Sequence, residues 1–295
     1  MASPPAVLVT LDGRLHDPDA PLLHADDLAA VRGDGVFETL LVRDGQPCLL
    51  EAHLARLAHS AATLDLPAPD LDRWRSAADM AAGCWAAAHE ADGVLRLVYS
   101  RGRESAGPAG PVTAYATVGA LADRVARVRR DGLAAITLDR GLPLGAADMP
   151  WLAMGAKTLS YAVNMAALRH AERHGASEVI FVSSDGYLLE GPRSTVVIVT
   201  EGDAGRPLLL TPPPWYPILR GTTQQALFEV ARNHGHDCDF RALTPADLLT
   251  AQGVWLISSI TLAARVHTLD GHVLPAPSPA VAIADLVDKA IVSDR

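Results

Sequence analysis

The chain has 295 residues, with 34 acidic and 25 basic side chains and a formal net charge of -9. That balance excludes a nucleic-acid partner, because phosphate neutralisation needs clustered Lys and Arg. A substrate anion has to be met by individual arginines. The three cysteines, Cys48, Cys84 and Cys238, are far apart and form no C-x-x-C pair, so neither a disulfide framework nor a zinc knuckle is expected. No apolar run reaches the ~18 residues that span a bilayer, and MASPPAVLVT lacks the basic start and long apolar stretch of a signal peptide. The expectation is a cytoplasmic protein with no membrane partner.

In chain order, AVLVTLDGRL and GVFETLLVRDGQPCLL read as strands, the second pair turning at Arg43-Asp44-Gly45. EAHLARLAHSAATLDL has Leu54, Leu57, Ala58 and Ala61 at helical spacing, and a second helix runs from about Leu71 to Ala91. VLRLVYSRG and PVTAYATVGA are strands separated by a Gly- and Pro-containing loop. The charged stretch ALADRVARVRRDG is weakly patterned and reads as a crossing between domains, near residue 125. The strand LAAITLD follows, then a helix from Thr158 to His174 ended by Gly175. SEVIFVSSDGYLLE reads as a hairpin about Asp185-Gly186, and TVVIVTE and PLLLTPP continue a sheet. A helix begins near Thr222, a short one lies at ADLLTAQ, and GVWLISS and ARVHTLDGHVL are strands. AVAIADLVDKAIV has the pattern of an amphipathic C-terminal helix. Antiparallel hairpins mixed with helices favour α+β over a doubly wound parallel sheet.

Only two of the 25 basic residues are lysine, Lys157 and Lys289. A chain that uses Arg wherever a plain positive charge suffices, yet keeps a lysine in the nearly uncharged stretch PWLAMGAKTLSYAVNMAAL, has a use for something Arg cannot do, such as forming an imine. Lys289, in the amphipathic C-terminal pattern, reads as a solvated surface cation. His234 and His236 in RNHGHDCDF read as a polar turn rather than a metal site.

The stretch Lys157 to Gly191 contains a lysine at a helix start, Gly175 some 18 residues on, a hairpin tip at Asp185-Gly186, and then Glu190-Gly191. In this spacing the chain resembles the class IV aminotransferases, the fold type IV group of pyridoxal 5′-phosphate (PLP) enzymes, from about Arg32 to Val266. The resemblance implies a two-subdomain α+β fold like that of D-amino acid aminotransferase. Residues 1–125 would form the smaller subdomain and 126–295 the larger, PLP-binding one. It implies that Lys157 is the Schiff-base lysine and proton shuttle, that Glu190 pairs with the pyridinium nitrogen, and that Tyr161 lies near the cofactor hydroxyl. Tyr161 would sit one helical turn after Lys157, on the same face. Arg56 in EAHLARL, Thr222 and Thr223 in RGTTQQAL, and Ser259 in LISSITLAARV would hold the phosphate. Two departures stand out: Gln224 where the family has Arg, and Arg265 where proline is usual. A homodimer is implied as well.

RGDGVFETL, Arg32 to Leu40, resembles the family's strand on the substrate side, in the form shared by its 4-amino-4-deoxychorismate lyases and D-amino acid enzymes. The expectation is a lyase that releases pyruvate and 4-aminobenzoate, a step of folate biosynthesis, with Lys157, Tyr161 or Thr39 serving the leaving group. The alternative is an aminotransferase acting on D-amino acids or branched-chain L-amino acids; a PLP-free binding protein of the same fold is the third reading. The substrate is a small amino-carboxylate, and Arg32, Arg103 and Arg193 are candidates for its carboxylates.

Overall fold

The computed structural model describes residues 5–276 and 282–292. They group into two units: the chain up to Asp123 with Ala156–Tyr161, and Arg124–Gly155 with the residues from Ala162 onward. Lys157 thus belongs to the first unit, although the sequence reading assigns everything after residue 125 to the second subdomain.

In the first unit, β1 (Pro5–Thr10), β2 (Leu15–His16), β3 (Gly35–Arg43), β4 (Gln46–Pro47), β5 (Gly93–Ser100) and β6 (Thr113–Ala120) form one antiparallel sheet in the order β2-β1-β6-β5-β3-β4. Its helices are α1 (Leu28–Val31), α2 (Leu50–Thr63) and α3 (Leu71–Ala88). The β3–β4 turn has positive φ at both Asp44 and Gly45, the twist that a two-residue hairpin needs. Alternation along β3 sends Val36, Leu40 and Val42 to one face, where they pack with Leu95 and Leu97 of β5, Leu54 and Leu57 of α2, and Trp74 of α3. Each of these side chains is fully or nearly fully buried, worth about 1.5–3 kcal/mol apiece relative to exposure. Glu38 falls in the same inward phase and is itself fully buried.

β4 pairs only with Val42 and Arg43, so the other end of that edge of β3 takes a different partner. Phe37 N donates to Lys157 O (3.0 Å) and Leu159 N to Gly35 O (2.8 Å), flanking an antiparallel bridge between Val36 and Thr158. The segment around Lys157 is therefore extended, and the helix predicted from Thr158 starts at Ala162 instead. The backbone groups of Lys157 and Leu159 are used by β3 and cannot enter a helical ladder. Gly35 permits this approach: a Cβ there would lie 2.8 Å from Leu159 Cδ1 and 2.7 Å from Tyr99 O.

The second unit contains α4 (Asp123–Asp131), β7 (Leu133–Asp139), α5 (Ala162–Arg173), β8 (Glu178–Val182), β9 (Thr195–Glu201), β10 (Pro207–Thr211), α6 (Thr222–Asn233), β11 (Asp237–Phe240), α7 (Pro245–Thr250), β12 (Gly253–Ser258), β13 (Leu262–Leu269), β14 (His272–Val273) and α8 (Ile283–Ala290). Its mixed sheet runs β11-β10-β9-β12-β13-β7-β8, with β14 beside β13. The charged stretch read as a crossing is the helix α4, whose Val125 and Val128 are buried one turn apart. The start of the predicted C-terminal helix, residues 280 and 281, lies outside the described residues. Ile180, Val196, Ile198, Leu210, Val254, Leu256 and Val266 form the core under this sheet. Hairpins and helices are mixed within one chain, an α+β arrangement. Among the described residues, no helix is long and apolar enough to cross a membrane.

Candidate active site

The first unit gathers one cluster around Lys157. Its Nζ lies 4.5 Å from the centre of the Phe37 ring and 5.6 Å from that of Tyr161, and the two rings meet edge to face at 5.4 Å. Such contacts suit an ammonium group. Tyr161 reaches the lysine, but not along a helix face: it precedes α5, and its N–H donates to Leu159 O at 2.7 Å. The backbone N–H of Lys157 donates to Ser60 Oγ at 3.0 Å. Thr39 lies on the same face of β3 as Phe37, half-buried, opposite Arg96 of β5.

His53, Arg56 and Ser60 line one stripe of α2 (i, i+3, i+7). Arg56 donates from Nε to Glu38 Oε1 and from Nη2 to Glu38 Oε2, both at 2.7 Å, and His53 Nδ1 approaches Oε2 at 2.7 Å. Burial alone pushes the Glu38 carboxyl up, but the charges and hydrogen bonds of Arg56 and His53 outweigh it and hold the group well below the usual carboxylate range. His53 is pushed down, first by burial, with Arg56 and Lys157 adding repulsion and Glu38 opposing. An ionised carboxylate only accepts, so the neutral imidazole carries its proton on Nδ1.

The second cluster belongs to the second unit. The hairpin after β8 brings Glu190 back beside Phe181, whose N–H donates to Glu190 O (2.8 Å), and Leu219 N donates to Glu190 Oε2 (3.1 Å). Thr222 and Thr223 open α6 and are buried; the helix's N-cap is Gly221, which supplies no side-chain cap. A Cβ on Gly221 would run into Thr195 Oγ1. Thr223 Oγ1 and Ser259 Oγ are 3.3 Å apart. The turn carrying Ser259 is tied to α4 by Arg129, which donates twice to Ile260 O (3.1 and 2.6 Å). This cluster offers backbone N–H groups at a helix start, two hydroxyls and a carboxylate, a donor set suited to a phosphate and a protonated ring nitrogen.

The three candidate arginines for substrate each meet an acid of their own unit: Arg32 with Glu104 (2.8 Å), Arg103 with Asp26 (2.9 Å) and Arg193 with Glu178 (2.5 Å). Gln224, buried, has an Nε2 with no hydrogen-bond partner. Arg265 sits opposite Trp255 within the β12–β13 pairing and donates to Pro275 O at 3.3 Å. Lys289 Nζ approaches His234 Nε2 at 3.2 Å on the surface. Among the described residues no group of three or more His, Cys, Asp or Glu could hold a metal ion. Glu38, His53 and Ser60 are absent from the sequence-based candidates. The signals for them are an acid in the inward phase of β3 and a polar stripe at i−3 and i+4 about Arg56.

Comparison with known proteins gives a family, a relative and two solved structures. The family model for amino-transferase class IV matches residues 35–269. The chain is 67% identical over 292 residues to the bifunctional aminodeoxychorismate lyase / D-amino acid transaminase of Mycobacterium tuberculosis (strain ATCC 25618 / H37Rv), covering 98% of this chain and 100% of that protein. Among solved structures it is similar to the PLP-bound form of a hypothetical aminotransferase from Mycobacterium tuberculosis (TM-score 0.94, 66% identity, 98% and 100% of the two chains). It is also similar to a fold IV-transaminase from Curtobacterium pusillum (TM-score 0.89, 38% identity, 98% of each chain).

Proposed function

The chain belongs to the class IV aminotransferases, enzymes that use PLP, and on that premise we propose that it is an aminodeoxychorismate lyase that also transaminates D-amino acids. The observation that carries this reading is the 67% identity, across 98% of this chain and 100% of the other, to a protein named for both activities. The branched-chain alternative rests on more distant likeness, 27% identity to a putative branched-chain-amino-acid aminotransferase of Methanocaldococcus jannaschii (strain ATCC 43067 / DSM 2661 / JAL-1 / JCM 10045 / NBRC 100440).

The residues fit the cofactor. Lys157 supplies the amine, and Phe37 and Tyr161 hold its Nζ against aromatic faces. Glu190, fixed by Leu219 N–H, would keep a proton on the ring nitrogen. As the family resemblance implies, the N–H groups of Thr222 and Thr223, the Ser259 hydroxyl and the Arg56 guanidinium would hold the phosphate, and the Tyr161 hydroxyl would serve the ring hydroxyl. When bound, PLP supplies an aldehyde that links to an amine and a ring that takes up carbanion electrons. The Lys157 amine would be the base that removes the proton from the amine-bearing carbon of the substrate. In the lyase reaction pyruvate then departs with the electron pair of the broken bond, and aromatisation to 4-aminobenzoate drives the step. Lys157, Tyr161 or Thr39 returns a proton to the leaving group. In transamination Lys157 would instead hold and relay that proton, and the substrate would leave as a keto acid.

The test is direct. Purified enzyme loaded with PLP and given aminodeoxychorismate is expected to yield equal amounts of 4-aminobenzoate and pyruvate; given D-alanine and 2-oxoglutarate, it is expected to yield pyruvate and glutamate. Transamination without any 4-aminobenzoate refutes the lyase part; lyase activity alone refutes the other. We further propose that the enzyme is a homodimer, which sedimentation velocity decides.

A further inference from the structure

Reading Arg56 as a phosphate ligand leaves Glu38 without a task, yet Glu38 is the most constrained ionised group beside the Lys157 segment. It is fully buried, and its two oxygens receive three short hydrogen bonds from Arg56 and His53. An isolated carboxylate in such a place is costly, and one that is kept is paired for a reason that packing alone does not supply. The two bonds from Arg56 use its Nε–Nη2 edge, a bidentate fork that fixes the plane of the guanidinium. His53 braces the same carboxylate with a second hydrogen bond to Oε2. The 3.5 Å approach of Arg56 Nη2 to His53 Nδ1 is two donors meeting at one shared acceptor, not a bond between them.

Resting on the reading of Arg56 given above, we propose that Glu38, braced by His53, is a positioning residue for the cofactor's phosphate: it holds the Arg56 guanidinium in one plane so that the nitrogen outside the fork is presented to the anion. Two effects of opposite sign meet here. Glu38 cancels part of the positive charge that attracts a phosphate, whereas its fork removes the rotational freedom that Arg56 would otherwise lose on binding. The geometry assigns the larger effect to positioning. Carboxylates behind metal-ligating histidines act in the same way, and their loss costs on the order of 10–100-fold in affinity.

The experiment compares dissociation constants for PLP and for pyridoxal, which lacks the phosphate but also reacts with Lys157. The ratio of the two isolates the phosphate's share of binding, and general loosening of the fold moves both constants together. Arg56→Gln is expected to collapse the preference for PLP. Glu38→Gln is expected to reduce it by about tenfold with pyridoxal binding unchanged, and to have no further effect in the Arg56→Gln background. Glu38→Asp keeps the charge but withdraws the fork by one methylene, and is expected to reduce the preference too; it decides the matter should Glu38→Gln not fold. If Arg56→Gln lowers the preference while Glu38→Asp and any folded Glu38→Gln leave it unchanged or raise it, the positioning role is overturned and the phosphate reading stands. If Arg56→Gln leaves the preference intact, the phosphate reading itself is wrong and the role of Glu38 goes with it.

Discussion

Acid should destabilise this protein through one buried histidine before Glu38 responds. His53 is fully buried, and burial above all holds its pKa below the ordinary value of 6.5. The folded chain therefore keeps the imidazole neutral while the unfolded chain protonates it. A group with a depressed folded pKa of this kind contributes stability that is complete above its unfolded value and declines as pH falls through it. Between about pH 7.5 and about 5.5, an unfolded-chain pKa near 6.5 sets an upper limit of about 1.4 kcal/mol on the stability this proton removes. Glu38 does not contribute in that window: its stabilisation is complete above its unfolded value of 4.5 and is lost only in stronger acid. Other groups add their own slopes, so the readout is a difference. His53→Asn places an amide N–H where Nδ1 donates but cannot titrate. Urea unfolding of the cofactor-free protein, followed by circular dichroism at both pH values, should show the native protein losing more than the variant, by up to about 1.4 kcal/mol. Equal losses in the two proteins would refute the buried, neutral assignment of His53.

Two further outcomes follow from close contacts. Gly221→Ala places a methyl against Thr195 Oγ1 and must shift the start of α6, costing about 1–3 kcal/mol; calorimetry should show a lower Tm, and PLP binding should weaken more than pyridoxal binding. Asp27, 1% exposed, accepts from Ala29 N (2.9 Å), Ser100 Oγ (3.1 Å) and Thr113 Oγ1 (2.5 Å). Asp27→Ala leaves those donors unpaired and should cost about 2–4 kcal/mol in denaturant unfolding, with no change in the PLP-to-pyridoxal preference.

Most of the fold was legible because the hydrophobic periods are strong: the alternation in GVFETLLV and the helical stripe Leu54, Leu57, Ala61 specify β3 and α2 directly. What failed is local. The helix expected from Thr158 begins four residues later because β3 has an open edge at Gly35–Phe37, a tertiary opportunity that no local pattern records. The charged stretch after Ala120 is a helix because two valines three residues apart suffice to bury one face. The candidate residues were found by resemblance in spacing, which points to side chains that meet a ligand. It is silent about those that hold them, and so it passed over Glu38, His53 and Ser60. Their link to Arg56 and Lys157 runs between α2, β3 and the Lys157 segment, and only the fold closes it.

Lys157 carries the central assignment, and the chain's composition makes it unusually easy to check, since Lys289 is the sole other lysine. Borohydride reduction of the PLP-loaded protein, followed by proteolysis and mass spectrometry, is predicted to place a single pyridoxyl group on the Lys157 peptide and none on that of Lys289. A label on Lys289 alone, or equal PLP incorporation by Lys157→Ala, would contradict it.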